Sequence, residues 1–527
     1  MKFTTSVALS LLPLLSAALP TTSETQQAPI GAPVSTTSGT YVGHAAPGVS
    51  GVSEYLGIRY AQSTAPPRRF QAPVAFNSSG DFEAIAFVGF ACPYSAAPNV
   101  TGFPGLLPPF QHIYDAFEGT QSGLKQMSED CLSINVWTPN PSPTANLPVV
   151  VFIYGGRFSS GSDNSSFYVG QNVASSGEVV FVNLNYRVGI FGFSGAPGMT
   201  QNIGLLDQRL ALEWVKSNIQ QFGGDPTKIL IVGQSVGGLS VDYHTYAWPE
   251  DPIAHAVMSI SGTAASAQPL NASIMEQNWF TAARAVDCPT SGDAVHCMQN
   301  QTFQELLVAV SKVPALPSKA LAQPVFQETI VEVVVFSDYP QRGEAGQFAK
   351  IPYLLGNLDN EAGFYKLLAF ISKVNLTNTQ WDDFNLQAFT CATSIEAANR
   401  VNNGVTAYRY RGFFDFEDLR IYPTSGAYHG SDLNMWFSNA PLQAQAPNTQ
   451  VEQASTVYMT NALIAFATDP ENGLLDFGWL KYTVDGAATL VRVGYNNETT
   501  ASFVSPAVFD GPCVGFDGDT SLGMGAM

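Results

Sequence analysis

The residues best placed to do chemistry lie in the stretch 228–240, KILIVGQSVGGLS. An apolar, β-branched run leads directly into Gly233-Gln234-Ser235-Val236-Gly237, a G-x-S-x-G pattern. On a tight strand-to-helix turn, a serine projects its Oγ above the sheet. The flanking glycines are required because side chains there would collide with neighbouring backbone. The same turn puts the Val236 amide at a helix N-terminus, aimed where an oxyanion would develop. The bare pattern recurs by chance in long chains, and the strand before it and helix after it give it weight. A serine is a poor nucleophile until a neutral imidazole takes its proton. A carboxylate must in turn hold the imidazole tautomer and stabilise its charged form.

Six histidines compete for the role of base. His44 is near a flexible N-terminus, His112 lies in an irregular Pro-rich segment, and His296 adjoins Cys297 in a polar loop. His244 falls on the helix after the elbow, where it points along or away from the sheet. His255 precedes an apolar run and reads as a packed residue. Elimination leaves His429, in Ala427-Tyr428-His429-Gly430-Ser431-Asp432-Leu433.

The elements that must position these groups follow from periodicity. The runs 149–154 (VVVFIY), 179–184 (VVFVNL) and 229–232 (ILIV) suit parallel strands buried on both faces. Residues 205–222 have helical spacing, with Leu206, Leu210 and Trp214 every four residues and Val215, Ile219 and Phe222 widening the stripe. Gly223-Gly224-Asp225-Pro226 ends that helix. Strand, helix, strand in this order predicts one large α/β domain with right-handed crossovers.

With 527 residues and 45% hydrophobic content, the chain can bury a large core, which excludes disorder as its main state. A net charge of −19 disfavours nucleic acid and anionic membrane surfaces as partners. Residues 1–18 read as a signal peptide: Lys2, an apolar run from Val7 to Leu19, and small residues Ser16, Ala17 and Ala18 before the cut. Residues 19–38 read as a flexible lead-in and 39–527 as the single domain. No later run is long enough to span a membrane. The expected location is therefore extracellular. Sequons at Asn77, Asn99, Asn164, Asn271, Asn300, Asn375 and Asn497 agree with it as candidate glycan sites. Cys92, Cys131, Cys288, Cys297, Cys391 and Cys513 form an even set with fifteen connectivities and no zinc-like spacing.

The chain resembles the type-B carboxylesterases: secreted fungal esterases and lipases, animal carboxylesterases and cholinesterases. The resemblance runs from about Tyr41 onward. It is carried by YLGIRYA at 55–61, SEDCL at 128–132, IYGG at 153–156, NYRVG at 185–189, GLLDQ at 204–208 and FGGDP at 222–226. It implies an α/β-hydrolase fold, a large, mostly parallel sheet with helices on both faces. It also implies a Ser–Glu–His triad of Ser235, Glu361 and His429. Glu361 matches the acid in Asp359-Asn360-Glu361-Ala362-Gly363, past the strand candidate 352–355. Spacing alone does not distinguish it from a solvated loop acid.

The implied oxyanion hole is the amides of Gly156, Arg157 and Val236. Here the chain departs from the family, because Arg157 stands where a third glycine is usual. Its side chain either points outward, binds a substrate carboxylate or polarises the carbonyl, or damages the hole. Gln234 and Val236 also replace the family's Glu and Ala. The resemblance further implies the pairs Cys92–Cys131 and Cys288–Cys297, leaving Cys391–Cys513. The matching loop of fungal lipases, around 102–110 here, is a mobile lid; its prolines make a fixed wall equally reasonable.

The expected activity is serine carboxylic ester hydrolysis through an acyl-enzyme, on a small-molecule ester and with no metal or organic cofactor. The alternatives are an unusual acyl transfer or dehydration on the same serine, or a non-catalytic binding protein of cholinesterase-like fold.

Overall fold

The computed structural model describes Met1 and residues 29–87, 91–95, 100–117, 127–139, 144–266, 269–314 and 324–513. The expected signal peptide apart from Met1, the sequon at Asn99 and half of the lead-in lie outside them.

Among the described residues the chain builds an 11-stranded sheet and a separate 3-stranded one. From one edge, the large sheet runs Ser502–Val504, Leu490–Val493, Ala407–Gly412, Tyr353–Leu358, Ala256–Ile260, Gly224–Gln234, Leu147–Ile153, Val180–Leu184, Ser133–Thr138, Ser53–Arg59 and His44–Ala45. The strands from Leu490–Val493 to Val180–Leu184 are all parallel, and the outer pairings are antiparallel. The apolar runs read from sequence become its middle: every residue of Val180–Leu184, Ala256–Ile260 and Tyr353–Leu358 is buried. Helices Val236–Ala247 and Gln450–Thr468 pack on the central strands. This is the α/β-hydrolase architecture.

Two expectations need correction. The lead-in does not extend to residue 38, because Val34–Thr36 is a strand paired with Gly39–Val42, and Val34 is buried. The stretch is also held by its polar residues, the Thr37 amide donating to Asn218 Oδ1 at 2.8 Å and the buried Ser38 Oγ accepting from Trp214 Nε1 at 3.0 Å. The stripe predicted for the helix at Ile203–Asn218 and the turn after it holds only in part: Trp214, Val215, Ile219 and Phe222 are buried as expected. Leu206 and Leu210 are only partly buried, whereas Leu205, Asp207, Gln208, Ala211 and Leu212 face inward. The polar pair is buried because it has partners. Asp207 accepts from Arg187 Nε at 2.8 Å and Nη2 at 2.7 Å, and Gln208 donates to Ser240 at 3.1 Å. The helix then tightens into a short turn, and Gly223, at φ 91°, stops it.

Several of the quoted motifs prove to be fasteners. Arg187 and Asp207 join the NYRVG and GLLDQ segments. Glu129 of the SEDCL segment accepts from Arg69 Nε at 2.6 Å in a buried pair. The cysteines pair as Cys92–Cys131, Cys288–Cys297 and Cys391–Cys513.

Candidate active site

The strand order places the candidate residues together. Leu147–Ile153 is flanked by Val180–Leu184 on one side and Gly224–Gln234 on the other, so successive crossovers leave in opposite directions. In an open parallel sheet, such a switch point leaves a crevice at the carboxyl ends of the strands. Ser235 follows Gly224–Gln234, the turn at 155–158 follows Leu147–Ile153, and Glu361 follows Tyr353–Leu358. His429 returns to this end on the loop after Ala407–Gly412.

Ser235 has φ 59° and ψ −129°, a strained conformation for a residue with a side chain. The turn closes because its neighbours lack Cβ atoms. A Cβ on Gly233 would overlap the Gly237 carbonyl, and one on Gly237 would overlap that of Ile153. A Cβ on Gly155 would press on that of Ser235, so the 155–158 turn lies directly against the nucleophile candidate. Gly262 matters equally, since a Cβ there would strike the Ser235 carbonyl. Sequence reading missed it, although a glycine two residues after the strand Ala256–Ile260 was a usable signal.

Glu361 is fully buried rather than a solvated loop acid. Its Oε1 accepts from Ser261 Oγ at 2.7 Å and from the Leu358 amide at 2.6 Å, and its Oε2 lies 2.6 Å from His429 Nδ1. His429 is 3% exposed, with its ring packed on Tyr365 and Phe389 at centroid distances of 5.0 and 5.3 Å. A carboxylate on Nδ1 keeps the proton there and leaves the Nε2 lone pair as acceptor. At Nε2 sits Gln234 Nε2, 3.1 Å away. The residue noted only as a departure beside the serine thus touches the base.

Tyr365 was also missed. It lies four residues after Glu361 on the helix Ala362–Ile371, and that spacing is its one sequence signal. Its phenol is near enough to Ser235 for that side chain to influence its ionisation. Burial and the Glu361 charge push its ionisation well up, and the Arg157 charge and Ser235 pull it partly back. At neutral pH it is a neutral phenol beside the nucleophile candidate.

The turn after Ile153 runs through left-handed backbone: Gly156 at φ 100°, Arg157 at 59° and Phe158 at 52°. The amides of Ser159 and Ser160 donate back to the Gly156 carbonyl, each at 3.0 Å. Arg157 is half-buried and lines a cavity of about 250 Å³. A surface groove of about 700 Å³ along Gln450–Thr468 is larger, but none of the site candidates lines it.

The remaining histidines have other work. His244 is buried, and its pKa is lowered to about 3, chiefly by burial and then by Arg209; it sits 3.3 Å from Gln208 Oε1. It is thus packed against the helix Ile203–Asn218, with its ring stacked on Trp248. His255 meets the Ala467 carbonyl at 3.1 Å, His112 that of Leu442 at 2.7 Å, His44 pairs with Glu54, and His296 bonds Asn300. Among the described residues no group of three or more His, Cys, Asp or Glu side chains could hold a metal ion. None of their helices is long and apolar enough to cross a membrane. Part of the 102–110 segment is docked: Phe103 packs on Phe370 and Tyr422, and the Leu107 amide donates to Ile421. Of the sequon asparagines, Asn77, Asn271, Asn300, Asn375 and Asn497 are exposed. Asn164 is only half-exposed, beside the buried Ser165.

Known proteins give this arrangement a context. The Carboxylesterase family model matches residues 30–389. Secreted lipase 5 of Gibberella zeae is 30% identical, over 96% of this chain and 98% of its own length. Chlorogenic acid esterase of Aspergillus niger is 31% identical, over 84% of this chain and 83% of its own. Acetylcholinesterase of Electrophorus electricus is 32% identical, over 70% and 57%. The chain acts on small-molecule esters as a carboxylic ester hydrolase, and it belongs to the carboxylesterase family.

Proposed function

We propose that hydrolysis runs through Ser235, His429 and Glu361 in a secreted enzyme. The observation that carries the reading is the buried His429 Nδ1–Glu361 Oε2 contact of 2.6 Å, set beside a strained serine on a glycine-flanked elbow. Ser235 Oγ attacks the ester carbonyl while His429 Nε2 takes its proton, exchanging Gln234 for the serine as partner. The carbonyl π electrons move to oxygen, and the amides of Gly156, Arg157 and Val236 receive that oxyanion. Val236 opens a helix, so its N–H is among those that helix geometry leaves without an intrahelical acceptor. Collapse expels the alcohol with the proton from Nε2. Water then adds to the acyl-enzyme with His429 again as base, and Ser235 leaves with its proton restored. Glu361 keeps the Nδ1 proton in place and stabilises each imidazolium.

Secretion is supported by the N-terminal apolar run, the exposed sequons, the three disulfides and a relative named as a secreted lipase. The residues from 39 onward are read as one domain, with the strand Val34–Thr36 added to it. The test is intact-mass and peptide analysis after fluorophosphonate exposure, with Ser235→Ala as control. One adduct on Ser235, absent in the variant, is expected. No adduct on folded protein that still hydrolyses esters would overturn the assignment, and loss of both would favour the binding-protein reading.

A further inference from the structure

The surface groove along Gln450–Thr468 has a volume of about 700 Å³, within the range of roughly 300–1,000 Å³ that small-molecule sites occupy. Its lining is chemically narrow. Among the described residues that form it none is charged, in a protein of net charge −19. Two aromatic rings, Tyr458 and Phe477, stand 4.9 Å apart between centroids, tilted by 45°. The Tyr458 ring is fixed, because its hydroxyl accepts from Nε1 of the fully buried Trp479 at 2.9 Å. Gln450, Asn461, Thr499 and Thr500 complete the polar lining, and among the described residues none of these four side chains has a hydrogen-bond partner. Fixed rings flanked by unpaired amides and hydroxyls, without charge, complement a neutral saccharide. The C–H face of a pyranose covers an aromatic ring, and its hydroxyl and acetamido groups pair with amide and hydroxyl side chains. A charged ligand would carry a charge that no lining residue could pair.

The groove's own edge supplies a source for that saccharide. Thr499 is the threonine of the sequon Asn497-Glu498-Thr499. Asn497 is exposed and ends the short turn Tyr495–Asn497. Two residues of chain span at most about 7 Å, so a sugar on Asn497 starts beside the groove. We propose that the groove is the seat of an N-linked glycan carried by Asn497, whose first N-acetylglucosamine units lie across Tyr458 and Phe477. The inference rests on the proposed secretion. The covalent tether makes seating an intramolecular event, so contacts too weak to hold a free sugar suffice. A seated glycan also covers Val457, an exposed apolar residue of the groove wall.

The test is site-resolved deglycosylation of the full chain secreted from a eukaryotic host. Glycopeptide mass spectrometry gives the occupancy of each sequon. An endoglycosidase that cuts within the N-acetylglucosamine core is then applied to folded and to denatured protein. In folded protein, release from Asn497 is expected to be roughly tenfold or more slower than from the other occupied sequons, because only the unseated fraction is cut. After denaturation the rates should be equal. Ala454 lines the groove from the exposed face of its helix, so Ala454→Trp fills the groove without entering the core. That variant should bring release from Asn497 to within about twofold of the other sites.

Equal release from all sites in folded protein, or protection that survives Ala454→Trp, overturns the seat. So does an Asn497 left bare in protein glycosylated elsewhere. If that protein binds free N,N′-diacetylchitobiose in calorimetry, and Ala454→Trp abolishes the binding, the groove serves an external sugar instead. Bare sequons throughout would refute the secreted reading, and this inference with it.

Discussion

Replacing Gln234 by Glu tests the geometry at the base directly. The amide nitrogen of Gln234 lies 3.1 Å from His429 Nε2, and both side chains are buried. A carboxylate there would face the nitrogen that is protonated during each half-reaction. At that distance and an effective dielectric of about 20, the attraction between carboxylate and imidazolium is about 5 kcal/mol. Desolvating the new carboxylate offsets part of it. Opposite charges at such range commonly move titrations by about 1–3 pH units. The charged imidazole is the form favoured, so the free base is lost at a higher pH than before. The acid limb of the kcat/KM profile should therefore move up by about one pH unit or more, with the plateau reached only at higher pH. Stopped-flow or plate assays with a chromogenic neutral ester over pH 4.5–9 would measure it, with ionic strength held constant. An acid limb at the wild-type position, in a variant with unchanged thermal midpoint, would refute the placement of Gln234 on the base.

Ser261→Ala removes one of two donors on Glu361 Oε1, leaving the Leu358 amide. A charge-assisted bond of this kind contributes about 1.5–3 kcal/mol, so kcat/KM should fall roughly tenfold with little change in fluorophosphonate-accessible fold; an unaltered rate would mean Ser261 does not hold the acid. Glu328 is fully buried, no side chain among the described residues hydrogen-bonds its carboxyl oxygens, and burial pushes its pKa up to about 8 against a smaller opposing effect of its own backbone amide. Its folded pKa exceeds its unfolded one, so the stability linked to its proton is intact below about pH 4.5 and lost as pH rises through about 8. Glu328→Gln should flatten the fall in thermal midpoint between pH 5 and 9; parallel curves for the two proteins would contradict this.

The parts of the site legible in sequence are those fixed by short-range sterics. The elbow could be read because Gly233 and Gly237 are required within a few residues of Ser235, and the strand before it carries the apolar run Ile229–Val232. Contacts between distant segments were not legible. Gln234 and His429 are 195 residues apart, and Ser261 and Glu361 are 100 apart; no local pattern couples them. The helix at 203–218 shows how pattern reading goes astray. Asp207 and Gln208 look like surface residues until Arg187, Ser240 and His244 supply their partners. A hydrophobic stripe drawn without those partners finds Trp214 and Val215 but puts Leu206 and Leu210 inside in place of the polar pair.

The turn at Arg157 and Phe158 has two consecutive residues with side chains in left-handed backbone, each costing roughly 1–2 kcal/mol. For Phe158 the compensation is visible, since the ring is fully buried and packs on Phe193 at 4.7 Å. Arg157 has no such core burial; it is half-buried at a position where glycine would carry no strain. Strain at such a point argues from the observed outlier toward function, and the side chain responsible lines a cavity of about 250 Å³. Arg157→Gly removes the strain together with the side chain, so the thermal midpoint should rise; an unchanged or lower midpoint would show that contacts of the Arg157 side chain offset the strain.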